Sequence, residues 1–304
     1  MFFIGNKKAV SFLGRVIKND SVAHAYIFSG PDQVGKRTLA ELFARCLILN
    51  TPFNIEINQE LTGVNATHRS DLKILAPVVE EKSGISKQKD ISVSQVREAQ
   101  QFLAAYPYLG KKKVLIIDDA HKMTVSAQNA MLKILEEPNS TSVLILVTNE
   151  IDRILQTISS RCQTISLGLV GDAEMAKGLA SADLEDVQMT LLSMGRPGRM
   201  IDLTNKPEII KEQYAQLQEF ATINNFSETQ KLLLAEKCSK NVPETINSLR
   251  LWAWKLHSDC DKNRDVEYIS RAHDIIGKIN ECISNLTTTN ASGRLVLEKL
   301  LLSI

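Results

Sequence analysis

No excess of either charge marks this chain: 36 Lys and Arg stand against 35 Asp and Glu, a formal net charge of +1. A protein that holds nucleic acid by itself relies on a strong positive field, because each neutralised phosphate releases counterions. Here any such contact is local, or shared with partners. Paired cysteines are also missing. Cys46, Cys162, Cys238, Cys260 and Cys282 are scattered, with no Cys-x-x-Cys. That excludes a disulfide framework and a zinc set, and leaves buried free thiols in a reducing cytoplasm. No apolar run approaches the roughly 20 residues of a membrane span; Val143–Val147 has only strand length. The start, Met1-Phe-Phe-Ile-Gly-Asn-Lys-Lys, holds too few apolar residues for a secretory signal. Repeats and low-complexity tracts are lacking too. The expectation is a cytoplasmic chain whose 304 residues form two or three domains, each with a core.

What is present is a pair of segments. Gly30-Pro-Asp-Gln-Val-Gly-Lys-Arg-Thr38 has the spacing of a phosphate-binding loop, and Val114-Leu-Ile-Ile-Asp-Asp-Ala-His121 that of a magnesium-binding strand. Gly30 and Gly35 permit the tight loop, and Lys36 would reach the β- and γ-phosphates. The alternative is a strand-to-helix turn that binds nothing. A hydrolytic loop places Ser or Thr directly after the lysine as a magnesium ligand; here Arg37 takes that position and the hydroxyl comes one residue late, on Thr38. Asp118 follows four apolar residues, as a magnesium-orienting aspartate would. Asp119 sits where an active ATPase places a longer glutamate, and falls short by about one methylene. The alternative for this pair is two solvated carboxylates at a strand end. His121 reads as a surface or capping residue. The pattern describes an ATPase fold whose own ATPase is weakened or lost, with ATP and magnesium conceivable only at a degenerate site.

Along the chain, apolar strands alternating with helical patterns over the first ~165 residues predict a parallel α/β sheet. Ala25–Ser29 is a strand running into the loop; Leu39, Leu42, Phe43, Cys46 and Leu47 lie on one stripe of a helix beginning near Lys36. Residues 50–90 read as an irregular insertion with a short strand near Leu72–Leu75. Ser94 caps a helix through about Ala105. Thr124 caps another that ends at Glu137 before Pro138. Val143–Thr148 is a buried strand. Helical stretches follow near Asp172–Ala182 and Leu184–Met194, and beyond Pro207 the pattern is helical, broken near Asn224, Pro243, Asp261 and Asn290. Trp252 and Trp254 read as core or as an interface anchor, and Lys111–Lys113 as a solvated loop or a phosphate contact. The division is an α/β P-loop domain over 1–166, a helical lid over 167–205 and a C-terminal helical domain over 206–304.

Thr124-Val-Ser-Ala-Gln-Asn-Ala-Met-Leu-Lys-Ile-Leu-Glu-Glu-Pro138, with Leu144-Ile-Leu-Val-Thr148 and Ile158-Ser-Ser-Arg-Cys-Gln163, closely resembles the bacterial clamp-loader branch of AAA+ proteins. The resemblance extends in pattern from Gly5 to about Leu203. Gly-Lys-Arg-Thr and the Asp118-Asp119-Ala120 run resemble the delta-prime side of that branch more than its tau/gamma motors, and no long tau-like C-terminal extension is present. Many relatives carry a four-cysteine zinc module in the insertion; this chain has none there, and Ala66–Leu72 looks like the segment after it, so no zinc is expected.

The resemblance implies an AAA+ P-loop core, then a helical lid and a helical collar for oligomerisation. It implies membership of a DNA polymerase III clamp loader with tau/gamma and delta subunits, acting on a sliding clamp and on primed DNA through the complex. Arg161 would then be an arginine finger acting in trans on a neighbour's ATP, with Ser160 and Cys162 shaping its turn; the alternative is a structural arginine paired with a local carboxylate. An arginine of this kind neutralises charge on the transferred phosphoryl group, an effect of about 10³-fold or more. Asn149 sits at the γ-phosphate sensor, or caps the next turn. Arg199 is a second sensor or a helix start. Two other readings compete: an active motor of the same branch, and a P-loop scaffold unrelated to replication. No polymerase site is evident.

Overall fold

In the computed structural model the described residues are 3–53, 70–82, 85–108, 110–180, 187–263, 265–288 and 291–304. They hold the strands β1 (Ala25–Ser29), β2 (Leu72–Leu75), β3 (Val79–Lys82), β4 (Ile85–Gln88), β5 (Lys113–Ile117), β6 (Ser142–Thr148) and β7 (Gln163–Ser166). Two compact units divide the chain: Met1–Ser181 with Gly195–Gly198, and Ala182–Met194 with Arg199–Ile304.

In the first unit every residue of β1, β5 and β6 is buried. Near-continuous apolar runs of this kind need cover on both faces, which a parallel sheet with flanking helices supplies. Five parallel strands run in the order β2-β5-β6-β1-β7. Side chains alternate between faces. Tyr26, Phe28, Val114, Ile116 and Ile145 meet Leu39 and Phe43 of α2 (Lys36–Leu49), with Leu13 of α1 (Lys7–Lys18) in the same cluster. Ile27, Leu115, Ile117 and Leu146 meet Val96 and Leu103 of α3 (Val93–Ala104) and Met131 and Leu135 of α4 (Val125–Glu136). This is the α/β P-loop core expected, with helices dominating the chain after it.

Register fixes where the site lies. Ile27 stands opposite Leu146, Leu146 opposite Ile117, and Ile117 opposite Leu75. Gly30, Asp118 and Asn149 therefore emerge together at the carboxyl edge of the sheet, the edge where open α/β sheets bind ligands.

Several local readings need correction. The cap of α3 is Ser92, not Ser94: the Ser92 hydroxyl accepts from Gln95 N while Gln95 Oε1 accepts from Ser92 N at 2.9 Å. That reciprocal box satisfies two end groups at once, which Ser94 cannot do from inside the first turn. The insertion carries an antiparallel pair, β3 with β4, beyond the strand foreseen at Leu72–Leu75. Lys113 is not in a solvated loop but opens β5, with Nζ 4.6 Å from the centre of the Phe102 ring and donating to Tyr106 O.

The described part of the second unit is helical. Five helices follow Pro207: Pro207–Ala221, Glu228–Ser239, Val242–Lys262, Val266–Thr288 and Gly293–Leu302. The break expected near Pro243 falls at Lys240–Asn241, and Pro243 itself lies in the first turn of the following helix, where its missing N–H costs nothing. Trp252 is core, stacked on Phe220 at 5.4 Å, whereas Trp254 is half-buried over His257. Among the described residues no helix is long and apolar enough to cross a membrane.

Candidate functional site

The loop begins where β1 ends. A Cβ on Gly30 would lie 2.1 Å from Leu167 O, because β7 runs on into direct contact with the loop; with φ at +145° only glycine fits. Gln33 and Gly35, both at positive φ, turn the chain into α2. Gly198 N donates to Gln33 O at 2.8 Å, fastening the second segment of the same unit to the loop. Lys36 is buried, and its ammonium donates to Gly30 O at 2.9 Å and Pro31 O at 2.6 Å. Burial pushes its pKa down, against the opposing charges of Asp32, Asp119 and Asp118. The lysine thus folds back on its own loop.

Arg37 bridges two carboxylates. Its Nε donates to Glu41 Oε1 at 2.9 Å and its Nη1 to Asp118 Oδ2 at 3.1 Å. The bond to Glu41 is the main cause of its raised pKa. Asp118 is held at the end of β5 by Asp118 N donating to Leu75 O at 2.8 Å. Its carboxyl lies above the usual range because burial outweighs the guanidinium beside it. Asp119, at φ +48°, turns its carboxylate to Lys122 at 3.0 Å. Thr38 is half-buried, one residue further on and so about 100° round the helix from Arg37. Magnesium needs near-octahedral oxygen ligands and the hydroxyl after the lysine. Here a guanidinium takes the carboxylate oxygen that the ion would take. The residues present do not fit a divalent cation.

Asn149 Nδ2 donates to Asp32 Oδ1 at 2.7 Å, joining the end of β6 to the loop. The turn after β6 is capped by the neighbouring Thr148, whose Oγ1 accepts from Glu150 N at 3.1 Å. His121, expected as a surface or capping residue, is buried: its Nδ1 lies 3.3 Å from Thr148 Oγ1 and its Nε2 3.7 Å from Glu150 Oε1. The chain reverses so tightly after Asp119 that the imidazole is carried under β6.

Arg161 follows the short helix α5 (Gln156–Ser159) and donates to Thr157 O at 3.0 Å and Glu136 Oε1 at 3.1 Å. Its side chain is 39% exposed and that of Glu136 53%. Cys162 is half-buried, and burial pushes its thiol up to about 12. Arg199, in the second unit, lies in the first turn of Pro197–Thr204 and donates to Gln213 Oε1 at 3.2 Å.

Two positioning groups escaped sequence reasoning. Gln128, buried in α4, donates to Arg153 O at 3.0 Å and accepts from Leu155 N at 2.8 Å, so it holds the segment entering α5 and hence the approach to Arg161. Asp71, fully buried, accepts from Tyr108 N at 2.6 Å and Gly110 N at 2.8 Å. A polar residue inside an otherwise apolar helix stripe was the available signal for Gln128. Among the described residues no group of three or more His, Cys, Asp or Glu side chains could hold a metal ion; within the insertion expected to lack zinc, residues 54–69, 83 and 84 lie outside them.

Residues 5–170, a span that includes every residue placed at the sheet edge and Arg161, match the family described as DNA polymerase III, delta subunit. The chain is 33% identical over 238 residues to DNA polymerase III subunit delta' of Pseudomonas aeruginosa, covering 75% of this chain and 67% of that protein. The chain belongs to the DNA polymerase III delta-prime family. It is also similar to the delta' subunit of Bacillus subtilis, 32% identical over 52% of this chain and 46% of the relative. Similarity to the tau subunit of Bacillus subtilis is 28% over 66% of this chain and 35% of the relative. The chain thus spans under half the length of either Bacillus subtilis protein.

Proposed function

We propose that this chain is a delta-prime-like subunit of a DNA polymerase III clamp loader. It works beside tau/gamma and delta subunits and supplies Arg161 in trans to a neighbour's ATP site while the sliding clamp is loaded onto primed DNA. Its own loop is not the principal hydrolase. One contrast carries the reading. Arg37 is clamped between two largely buried carboxylates at the chain's own metal position, whereas Arg161 stands at the surface on a partner it can exchange.

An exposed ion pair of the Arg161–Glu136 kind is worth about 0–1 kcal/mol, so little opposes its transfer to another anion. A guanidinium brought to a transferring phosphoryl group offers a fork of donors that matches phosphate oxygens, and it cannot lose its charge. Gln128 keeps the turn that carries it in place. On the chain's own side, a hydrolytic role would require Lys36 to leave the Gly30 and Pro31 carbonyls and Arg37 to leave Asp118. Nothing in this arrangement favours the motor reading.

The test is DNA- and clamp-stimulated ATP hydrolysis by a loader reconstituted with cognate motor and delta subunits. Arg161→Ala should lower it by roughly 10³-fold at the affected site, with assembly intact by gel filtration and the melting temperature of the isolated chain unchanged. Full hydrolysis in an intact complex would remove the finger role. Hydrolysis by the isolated chain that Lys36→Ala abolishes would instead identify a motor.

A further inference from the structure

We propose that Arg37 is the resident cation of this glycine loop: it keeps the divalent-metal position shut, so the loop has no magnesium-dependent affinity for nucleotide, and Arg37→Thr opens one. The inference concerns the chain's own loop and stands whether or not Arg161 acts on a neighbour.

Position and geometry carry it together. Arg37 directly follows Lys36 in the first turn of α2, where a metal-ligating hydroxyl belongs. Its side chain does not wander in solvent. Nε and Nη1 are fixed to different carboxylates, that of Glu41 at 2.9 Å, four residues on, and that of Asp118 at 3.1 Å, 81 residues on in the chain. Those carboxylates are only 13% and 19% exposed, against 51% for the guanidinium. The charged fork therefore closes over the pair from the solvent side, on the approach an incoming ion would need. Turning it away would leave Asp118 unpaired next to Asp119, with Asp32 also near enough to act on Lys36. Such a cluster demands a cation. Arg37 meets the demand from inside the chain.

Removing it while adding a hydroxyl changes two things at once. Asp118 loses its guanidinium, and position 37 gains the missing oxygen ligand. Magnesium is held by one or two carboxylates together with substrate phosphates, which Asp118, a hydroxyl at 37 and a nucleotide could then provide. Thr38 cannot serve in the natural chain, since the guanidinium occupies Asp118 whatever the hydroxyl does.

The experiment is calorimetric titration of ATP into the full chain, with magnesium and again with EDTA, for the natural protein, Arg37→Thr and Arg37→Lys. The natural chain and Arg37→Lys should give the same result in both conditions, whether that is metal-free binding or none. Arg37→Thr should bind at least about tenfold more tightly with magnesium, a shift of about 1.4 kcal/mol. Magnesium-dependent binding by the natural chain would overturn the proposal, and so would a folded Arg37→Thr chain without it. Should Arg37→Thr fail to fold by circular dichroism, the natural chain and Arg37→Lys still decide: magnesium dependence in either one refutes the closed position, and its absence in both upholds it.

Discussion

Two arginines, each bonded to a carboxylate near 3 Å, do opposite things because of what surrounds the pair. Arg37 bridges partners that are mostly out of water, whereas Arg161 and Glu136 are both well exposed. Coulombic attraction grows as solvent is excluded, so the first pairing is durable and the second is tradeable. The same reasoning applies to His121. Burial lowers its pKa from the ordinary 6.5, outweighing the raising effects of Asp119 and Glu150. With the folded pKa below the unfolded one, the unfolded chain holds more protons in the interval between them, and stability rises with pH there. The contribution is complete above about 6.5 and is lost as the pH falls toward the folded value. Urea midpoints measured from pH 7.5 to pH 5 should therefore fall more for the natural protein than for His121→Gln. Parallel slopes would show that the imidazole does not couple folding to protons.

At the level of elements, legibility followed the amount of apolar sequence each one carries. β1, β5 and β6 announce themselves because both faces are buried and almost every position is apolar. β3, β4 and β7 carry one apolar residue each, Val79, Ile85 and Ile165, and give no periodic signal. Thr124 was readable as a cap because one hydroxyl residue precedes its helix; Ser92 and Ser94 compete, and the capping box through Gln95 selects the earlier. Ser92→Ala should cost about 1 kcal/mol of stability, whereas Ser94→Ala should cost no more than a few tenths. Equal losses in chemical denaturation would mean that the box does not set this end of α3. The candidate site divides in the same way. The Gly30–Thr38 spacing and the strand before Asp118 are local, so sequence places them at one sheet edge. The Arg37–Asp118 bond, the Gln128 anchor and the burial of His121 are made across 81, 25 and 27 residues, where no spacing rule reaches.

For the whole molecule the deciding quantity is charge. The net value of +1 is matched by local pairing: Lys7 with Glu174, Arg153 with Glu150, Lys237 with Glu219, Arg294 with Glu298 and Lys299 with Glu281. Basic side chains facing their own acids neither release counterions from DNA nor build a field that reaches beyond the roughly 8 Å screening length at physiological salt. A protein relying on non-specific phosphate contacts alone binds at about 10⁻⁴–10⁻⁶ M under those conditions, with affinity falling steeply as salt rises. This chain should lie at or beyond the weak end of that range for primed duplex DNA in fluorescence anisotropy, and its salt slope should be shallow. The same chain within a reconstituted assembly should register on DNA with the steeper slope of many shared contacts. Micromolar binding by the isolated chain, lost between about 0.05 and 0.2 M salt, would reveal a concentrated basic surface and overturn the view that its hold on DNA is collective. A shallow slope would tie charge to function, since a chain with almost no net charge has no concentrated field of its own with which to hold DNA.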